Sequence, residues 1–161
     1  MPRYPSLPQH LKEQLALIDP VEKYRVKYFP CAVIDDKDNL IECVYFAEES
    51  GYIKVSGVWP KAEAVISIER ITRILESKKR LPKSMADKLY ANGESGMGYF
   101  TFTISFSGGV WKTYVTGSMV DFIEFPPGLS KDNVVGFLSY HKVENCQLGR
   151  SEKYYWCLYS I

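Results

Sequence analysis

The sequence predicts an α+β fold rich in β-strand: a mainly antiparallel sheet or partly open barrel with three to four short helices, in a single domain over residues 1–161. Three observations carry this. Aromatic residues make up 14% of the chain, a composition suited to half-buried pleated surfaces. Phe100, Phe102, Ile104 and Phe106 alternate with Thr101, Thr103 and Ser105, the period-two pattern of a strand with one buried face. Runs of strand are interrupted by segregated helices, which favours α+β over an alternating parallel fold. At this length one continuous core, burying about 68–70% of the extended chain's surface, is expected to suffice.

Taken in order, Ser6, Pro8 and then Leu11, Leu15 and Ile18 at helical spacing predict a capped amphipathic helix, stopped at Asp19-Pro20. Residues 24–34 and 40–46 are rich in β-branched and aromatic side chains around the polar turn Asp35-Asp36-Lys37-Asp38-Asn39, a hairpin pattern. Pro30 cannot donate to a ladder, so an edge position or a bulge is expected there. A turn at residues 48–51 leads to a third predicted strand, 52–59, ending at Pro60. Residues 62–77 carry both periods and predict a strand passing into a short helix, with Glu69 near its start and Lys78-Lys79-Arg80 near its end matching the helix dipole.

Residues 82–91 predict a helix with Met85, Leu89 and Tyr90 inward, closed by Asn92-Gly93. The clearest hairpin follows, with strands 100–106 and 110–116 around Ser107-Gly108-Gly109. A strand is expected over 119–125, closed by Pro126-Pro127-Gly128. Ser130 is expected to cap a helix running to about Ser139 with Val134, Val135, Phe137 and Leu138 inward, and residues 154–159 read as a final strand.

Composition excludes several classes. With 46% apolar and 24% charged residues the chain matches neither a disordered nor a membrane protein. Lys and Arg total 20 against 19 Asp and Glu, a net charge of +1, so the basic excess typical of nucleic-acid binders is missing. The opening Met1-Pro2-Arg3-Tyr4-Pro5-Ser6-Leu7-Pro8 lacks the apolar run of a secretory signal, and no segment reaches the roughly 18 apolar residues of a membrane span. A cytoplasmic protein without a membrane partner is the expectation. Cys31, Cys43, Cys146 and Cys157 form no C-x-x-C pair and are expected as buried thiols. A zinc site from His141, Cys146 and Cys157 would need a distant fourth ligand, so no metal and no cofactor is expected.

The densest glycine cluster, Gly93-Glu94-Ser95-Gly96-Met97-Gly98-Tyr99, runs from a predicted helix into a strand. A nucleophile elbow or a phosphate-binding loop needs the opposite order, strand into helix. The residues therefore predict a helix C-cap and a bulge, with positive φ at one or more of Gly93, Gly96 and Gly98. This segment, with Val115-Thr116-Gly117, Asp121-Phe122 and Pro126-Pro127-Gly128, resembles a family of small bacterial proteins of unknown function. The similarity covers about the second half of the chain, to Trp156-Cys157-Leu158-Tyr159; it implies a bacterial cytosolic origin and transfers no activity, cofactor or catalytic residue.

Glu94, Asp121 and Glu124 are the carboxylates nearest these turns, and a pair of them would serve as general acid and base or hold a metal. Strand alternation sends Asp121 and Glu124 to opposite faces, and solvent-facing or turn-bonding roles are the ordinary expectation. His141 is expected to cap a helix end or lie exposed. Arg70, Arg73, Lys78, Lys79, Arg80, Lys83 and Lys88 form a basic segment relieved by Glu69, Glu76 and Asp87. It reads first as a solvated face, then as a patch for an acidic protein. Nucleic acid ranks last, because no aromatic interleaves before Tyr90. The candidate binding residues are Glu94, Ser95, Arg70, Arg73 and Arg80. The functional expectation is a non-catalytic binding protein of the bacterial cytosol, an immunity-type or regulatory partner of another protein. The alternative is a small hydrolase or metal-dependent enzyme using Glu94, Asp121 and Glu124.

Overall fold

The hairpin expected around Asp35 organises the first of two units in the computed structural model, which describes residues 1–138 and 147–161. That unit comprises Met1–Ser77 with Lys153–Ile161, and the second comprises Lys78–Glu152. In the first, β2 (Val26–Asp35) and β3 (Leu40–Glu48) pair antiparallel. Asp35 shapes the turn: one carboxylate oxygen accepts the backbone N–H groups of Lys37 and Asn39, each at 2.9 Å. β1 (Val21–Lys23) pairs with the start of β2 across Tyr24 and Arg25, which adopt φ of 54° and 65°. Such left-handed pairs fit the twist of a two-residue hairpin. In sequence both residues merge into the strand pattern over 24–34, because neither is the Asn or Gly that usually marks this turn.

β4 (Ile71–Leu75) pairs with the end of β2, and β9 (Tyr155–Tyr159) runs parallel to β3, giving the order β1-β2-β3-β9 with β4 also on β2. Pro30 therefore lies on an interior strand, and the expected bulge is present beside it, as a register shift between Cys31 and Val33. Alternation along the strands divides the sheet's faces. Leu11, Leu15, Val33, Val44, Phe46, Ile74 and Cys157 share one buried cluster. On β2, β3 and β9 the intervening positions Tyr28, Tyr45 and Trp156 meet ring to ring, joined by Tyr52, with Tyr45 and Trp156 centroids 5.1 Å apart.

Three expectations for this unit are corrected. α1 (Gln9–Leu15) starts from Pro8, whose carbonyl accepts the N–H groups of Leu11 and Lys12, and ends at Ala16. Ser6 is not its cap; its hydroxyl lies 3.3 Å from that of Ser160. Residues 52–59 do not form a strand, because α2 (Glu49–Ser56) occupies this stretch and closes on Gly57 with φ 75°. Gly51 lets this helix approach β2, since a Cβ there would sit 2.9 Å from a Val26 methyl. Over 62–77 the order is reversed: short 3-10 turns at Ala62–Ala64 and Ile68–Arg70 precede β4. Ser67 caps the second turn through the Glu69 N–H, and the open side of β2 draws Ile71 onward into the sheet. Ile68, Ile71 and Ile74 reach the core all the same.

In the second unit the expected hairpin forms from β5 (Phe100–Phe106) and β6 (Val110–Thr116), turning at Gly108 and Gly109 with φ of 81° and 76°. β7 (Val134–Leu138) pairs antiparallel with β5 and β8 (Gln147–Leu148) parallel with β6, in the order β7-β5-β6-β8. α3 (Lys83–Asn92) closes on Gly93, as expected; of the residues expected inward Leu89 is buried and Met85 and Tyr90 are half-buried, and Ala86 is buried as well. Leu81, Leu89, Phe100, Phe102, Ile104, Phe106, Tyr114 and Ile123 make this unit's core. Each unit has its own hydrophobic cluster.

Two corrections apply here. Ser130 does cap a turn, with a full capping box to Asn133, but the turn spans only Lys131–Asn133. Residues 134–138 then join the sheet, because β5 offers a ladder edge that the β-branched and aromatic side chains fit. The expected end near Ser139 lies outside the described residues. Residues 119–125 are not a continuous strand but touch neighbours at single bridges, Arg80 with Phe122 and Ile123 with Ser151. Met119, Val120, Asp121, Phe122 and Ile123 are all buried, so this run is surrounded on both sides and its hydrogen bonds go to several partners, including the Leu81 N–H onto the Asp121 carbonyl. The fold is α+β with mainly antiparallel sheets, and among the described residues neither sheet closes into a barrel. No helix of the described residues is long and apolar enough to cross a membrane.

Candidate functional site

Where β3 ends and α2 begins, Glu48, Glu49 and Ser50 fall at a sharp change of chain direction. Glu49 is buried in the first turn of α2, and its two carboxylate oxygens accept the backbone N–H groups of Arg3 and Tyr4 at 3.1 and 3.0 Å. This carboxylate holds residues 1–4 against the helix. Beyond α2, Gly57 turns the chain and presents Trp59, whose ring lies 5.8 Å from that of Tyr4, with the Arg3 guanidinium 4.9 Å from the Trp59 ring centre. Ser160 follows β9 and is fastened by its N–H to the Pro5 carbonyl at 3.1 Å.

These segments enclose a cleft of about 420 Å³. Its apolar walls are Met1, Pro2, Ile53, Trp59 and Ile161, and its polar groups are Glu48, Glu49, Ser50 and Ser160. The Ser50 hydroxyl donates to Glu48 at 2.6 Å. Nearby, burial first and then the Glu48 charge push the Tyr159 hydroxyl up to about 12. The lining contains no histidine, cysteine or lysine. An apolar wall with an aromatic face and two carboxylates can hold and orient a ligand.

The residues singled out from sequence lie elsewhere. Arg70 sits on the Asp35 turn, its guanidinium 3.4 Å from Asp35 and 3.9 Å from Asp36. Arg73 is exposed on β4, opposite Ile34. Arg80 is half-buried in the second unit, at the bridge to Phe122. The basic segment is therefore divided between the two units, and in the second Lys79 meets Glu152 and Lys83 meets Asp87, both at 2.6 Å. Glu94 is exposed, while the Ser95 hydroxyl accepts the Thr101 N–H at 2.8 Å and so fastens the glycine loop to β5.

The three carboxylates occupy three settings. Asp121 is fully buried, which corrects the solvent-facing expectation. Its carboxylate accepts the Tyr90 hydroxyl at 2.5 Å, and that hydroxyl accepts the Val120 N–H at 3.0 Å. Glu124 is exposed and lines a crevice of about 170 Å³ with Lys112, Pro126, Pro127 and Arg150. Cys31, Cys43 and Cys157 are buried, and burial pushes the Cys157 thiol far above its usual range. Among the described residues no group of three or more His, Cys, Asp or Glu side chains is placed to hold a metal ion. His141 and Cys146 lie outside the described residues, and with them the zinc set and the capping role.

Residues 48–51 read in sequence as an ordinary turn and 52–59 as a strand, so the cleft is not legible there. The available signal was Glu48-Glu49 directly after the apolar run of β3, followed by Val58-Trp59-Pro60. No protein-family model, curated protein or solved structure matches this chain.

Proposed function

We propose that this is a non-catalytic binding protein that holds a segment of a protein partner in the cleft between α2, Trp59 and the end of β9, in an immunity-type or regulatory role in the bacterial cytosol. The observation that carries the reading is the cleft itself. Its volume of about 420 Å³ falls within the range of about 300–1,000 Å³ typical of ligand sites. Its walls are mainly apolar, and Trp59 is 40% exposed, the kind of aromatic anchor on which binding energy concentrates. An acid–base reading has less support, because Asp121 is buried against Tyr90 while Glu94 and Glu124 are exposed.

The test is affinity capture from a native bacterial lysate with the full chain as bait, quantified by mass spectrometry beside a Trp59→Ala bait. A stoichiometric partner retained by the wild type and lost by the variant is the expected result. Equal retention by both baits, or turnover of a small substrate with no partner bound, would overturn the reading.

A further inference from the structure

We infer that the segment held in this cleft is cationic, a Lys or Arg side chain flanked by apolar residues. The inference rests on the cleft being a binding site, as proposed above, and adds the chemistry of the occupant.

The charged side chains that line the cleft are Glu48 and Glu49. Among the described residues neither takes part in an ion pair. The groups that do reach them are neutral: the Arg3 and Tyr4 N–H groups on Glu49 and the Ser50 hydroxyl on Glu48. These satisfy hydrogen bonds without cancelling charge. Glu49 is 8% exposed with both oxygens already on backbone N–H groups at the start of α2, so the charge left open to a ligand is that of Glu48. An incoming ammonium or guanidinium would meet the Glu48 carboxylate beside the apolar walls.

The second observation is Trp59. The Arg3 guanidinium lies 4.9 Å from the ring centre, inside the distance of about 6 Å at which a cation is held by an indole face. Arg3 itself is exposed, and its attachment to the cleft is through its backbone N–H on Glu49. The ring thus already takes a cation from an exposed side chain, and the partner's cation competes with Arg3 for it. Apolar neighbours in the partner would meet Ile53, Pro2 and Ile161. An acidic segment would bring like charge against both carboxylates, which is how a site rejects a wrong partner.

The experiment uses the full chain and three acetylated, amidated pentapeptides, Leu-Xaa-Ile-Xaa-Leu, with Xaa as Lys, Gln or Glu. Binding is read from the Trp59 indole N–H signal in a proton–nitrogen NMR titration, assigned with Trp59→Phe. The Lys peptide should shift this signal with an affinity at least about tenfold above that of the Glu peptide, the factor expected of a charge-assisted contact. Glu48→Gln keeps an acceptor for Ser50 and should weaken the Lys peptide about fivefold while leaving the Gln peptide unchanged. Arg3→Ala removes the competitor and should tighten the Lys peptide; this variant keeps the test decisive if Glu48→Gln melts early. Equal affinities of the three peptides, or a preference for Glu, would overturn the cationic occupant and leave the cleft standing as a binding site. No movement of the Trp59 signal with any peptide at millimolar concentration would overturn both.

Discussion

Replacing Gly93 by Ala isolates the energy of one backbone conformation. Gly93 closes α3 with φ 82° and ψ 170°, a combination that essentially only glycine adopts and that costs other residues about 1–3 kcal/mol. A Cβ built at Gly93 would meet no heavy atom within 4 Å, and the same is true at Gly98, where φ is 80°. The penalty is therefore local to the residue's own backbone, with no clash against the rest of the fold, and we expect about 2 kcal/mol for Gly93→Ala. Gly96 is the opposite case. Its φ is not in the left-handed range, but a Cβ would fall 2.2 Å from the Tyr99 ring. Tyr99 is 44% exposed, so the ring can swing into solvent, and the cost should stay below about 1 kcal/mol. At about 2–4 °C per kcal/mol for a chain of this size, Gly93→Ala should melt about 4–8 °C below the wild type, with Gly96→Ala within about 3 °C. Differential scanning calorimetry on both variants reads this directly. If Gly96→Ala were the more damaging, or Gly93→Ala melted with the wild type, the argument from backbone torsion would be wrong.

Other consequences can be checked as simply. Tyr90→Phe leaves the buried Asp121 carboxylate and the Val120 N–H each short of a partner, and urea denaturation should show a loss of about 1–3 kcal/mol. Asp35 is held below the usual carboxylate range by the Asn39 N–H first, then by the Lys37 N–H, the Asn39 side chain and Arg70, against the opposing effect of burial. A depressed folded-state value means its contribution is present above the unfolded value near 3.9 and disappears as pH falls through the lower folded value. Acid titration should accordingly find the wild type losing more stability below about pH 4 than Asp35→Asn does. The buried Cys157 thiol, pushed upward by burial, should resist a thiol reagent in the native protein and react on unfolding, as followed by peptide mass spectrometry. Ser130→Ala removes the cap over Lys131–Asn133 and should cost about 1 kcal/mol in the same urea assay.

What local chemistry decides was legible in the chain. The alternation over 100–106, the two glycines after Ser107, the polar turn at Asp35 and the C-cap at Gly93 each act within a few residues, and each stands where the sequence places it. Pro30 likewise marks its bulge, because the missing N–H is a property of that residue alone.

Tertiary partners decided the rest. Residues 71–75 and 134–138 are apolar at spacings that suit either a helix or a strand, and each became a strand because β2 and β5 held an open ladder edge beside it. Residues 49–56 became a helix where Glu49 could receive two N–H groups from the chain's start and Gly51 could close on Val26. The cleft combines residues 1–2, 48–50, 53, 59 and 160–161, so no window of sequence contains it. Asp121 and Glu124 look alike in sequence, yet one is buried on a Tyr90 hydroxyl and the other is exposed. Residue type and spacing determine which local structures are possible here; burial and long-range pairing choose among them, because a side chain's solvation depends on neighbours that only the folded chain brings together.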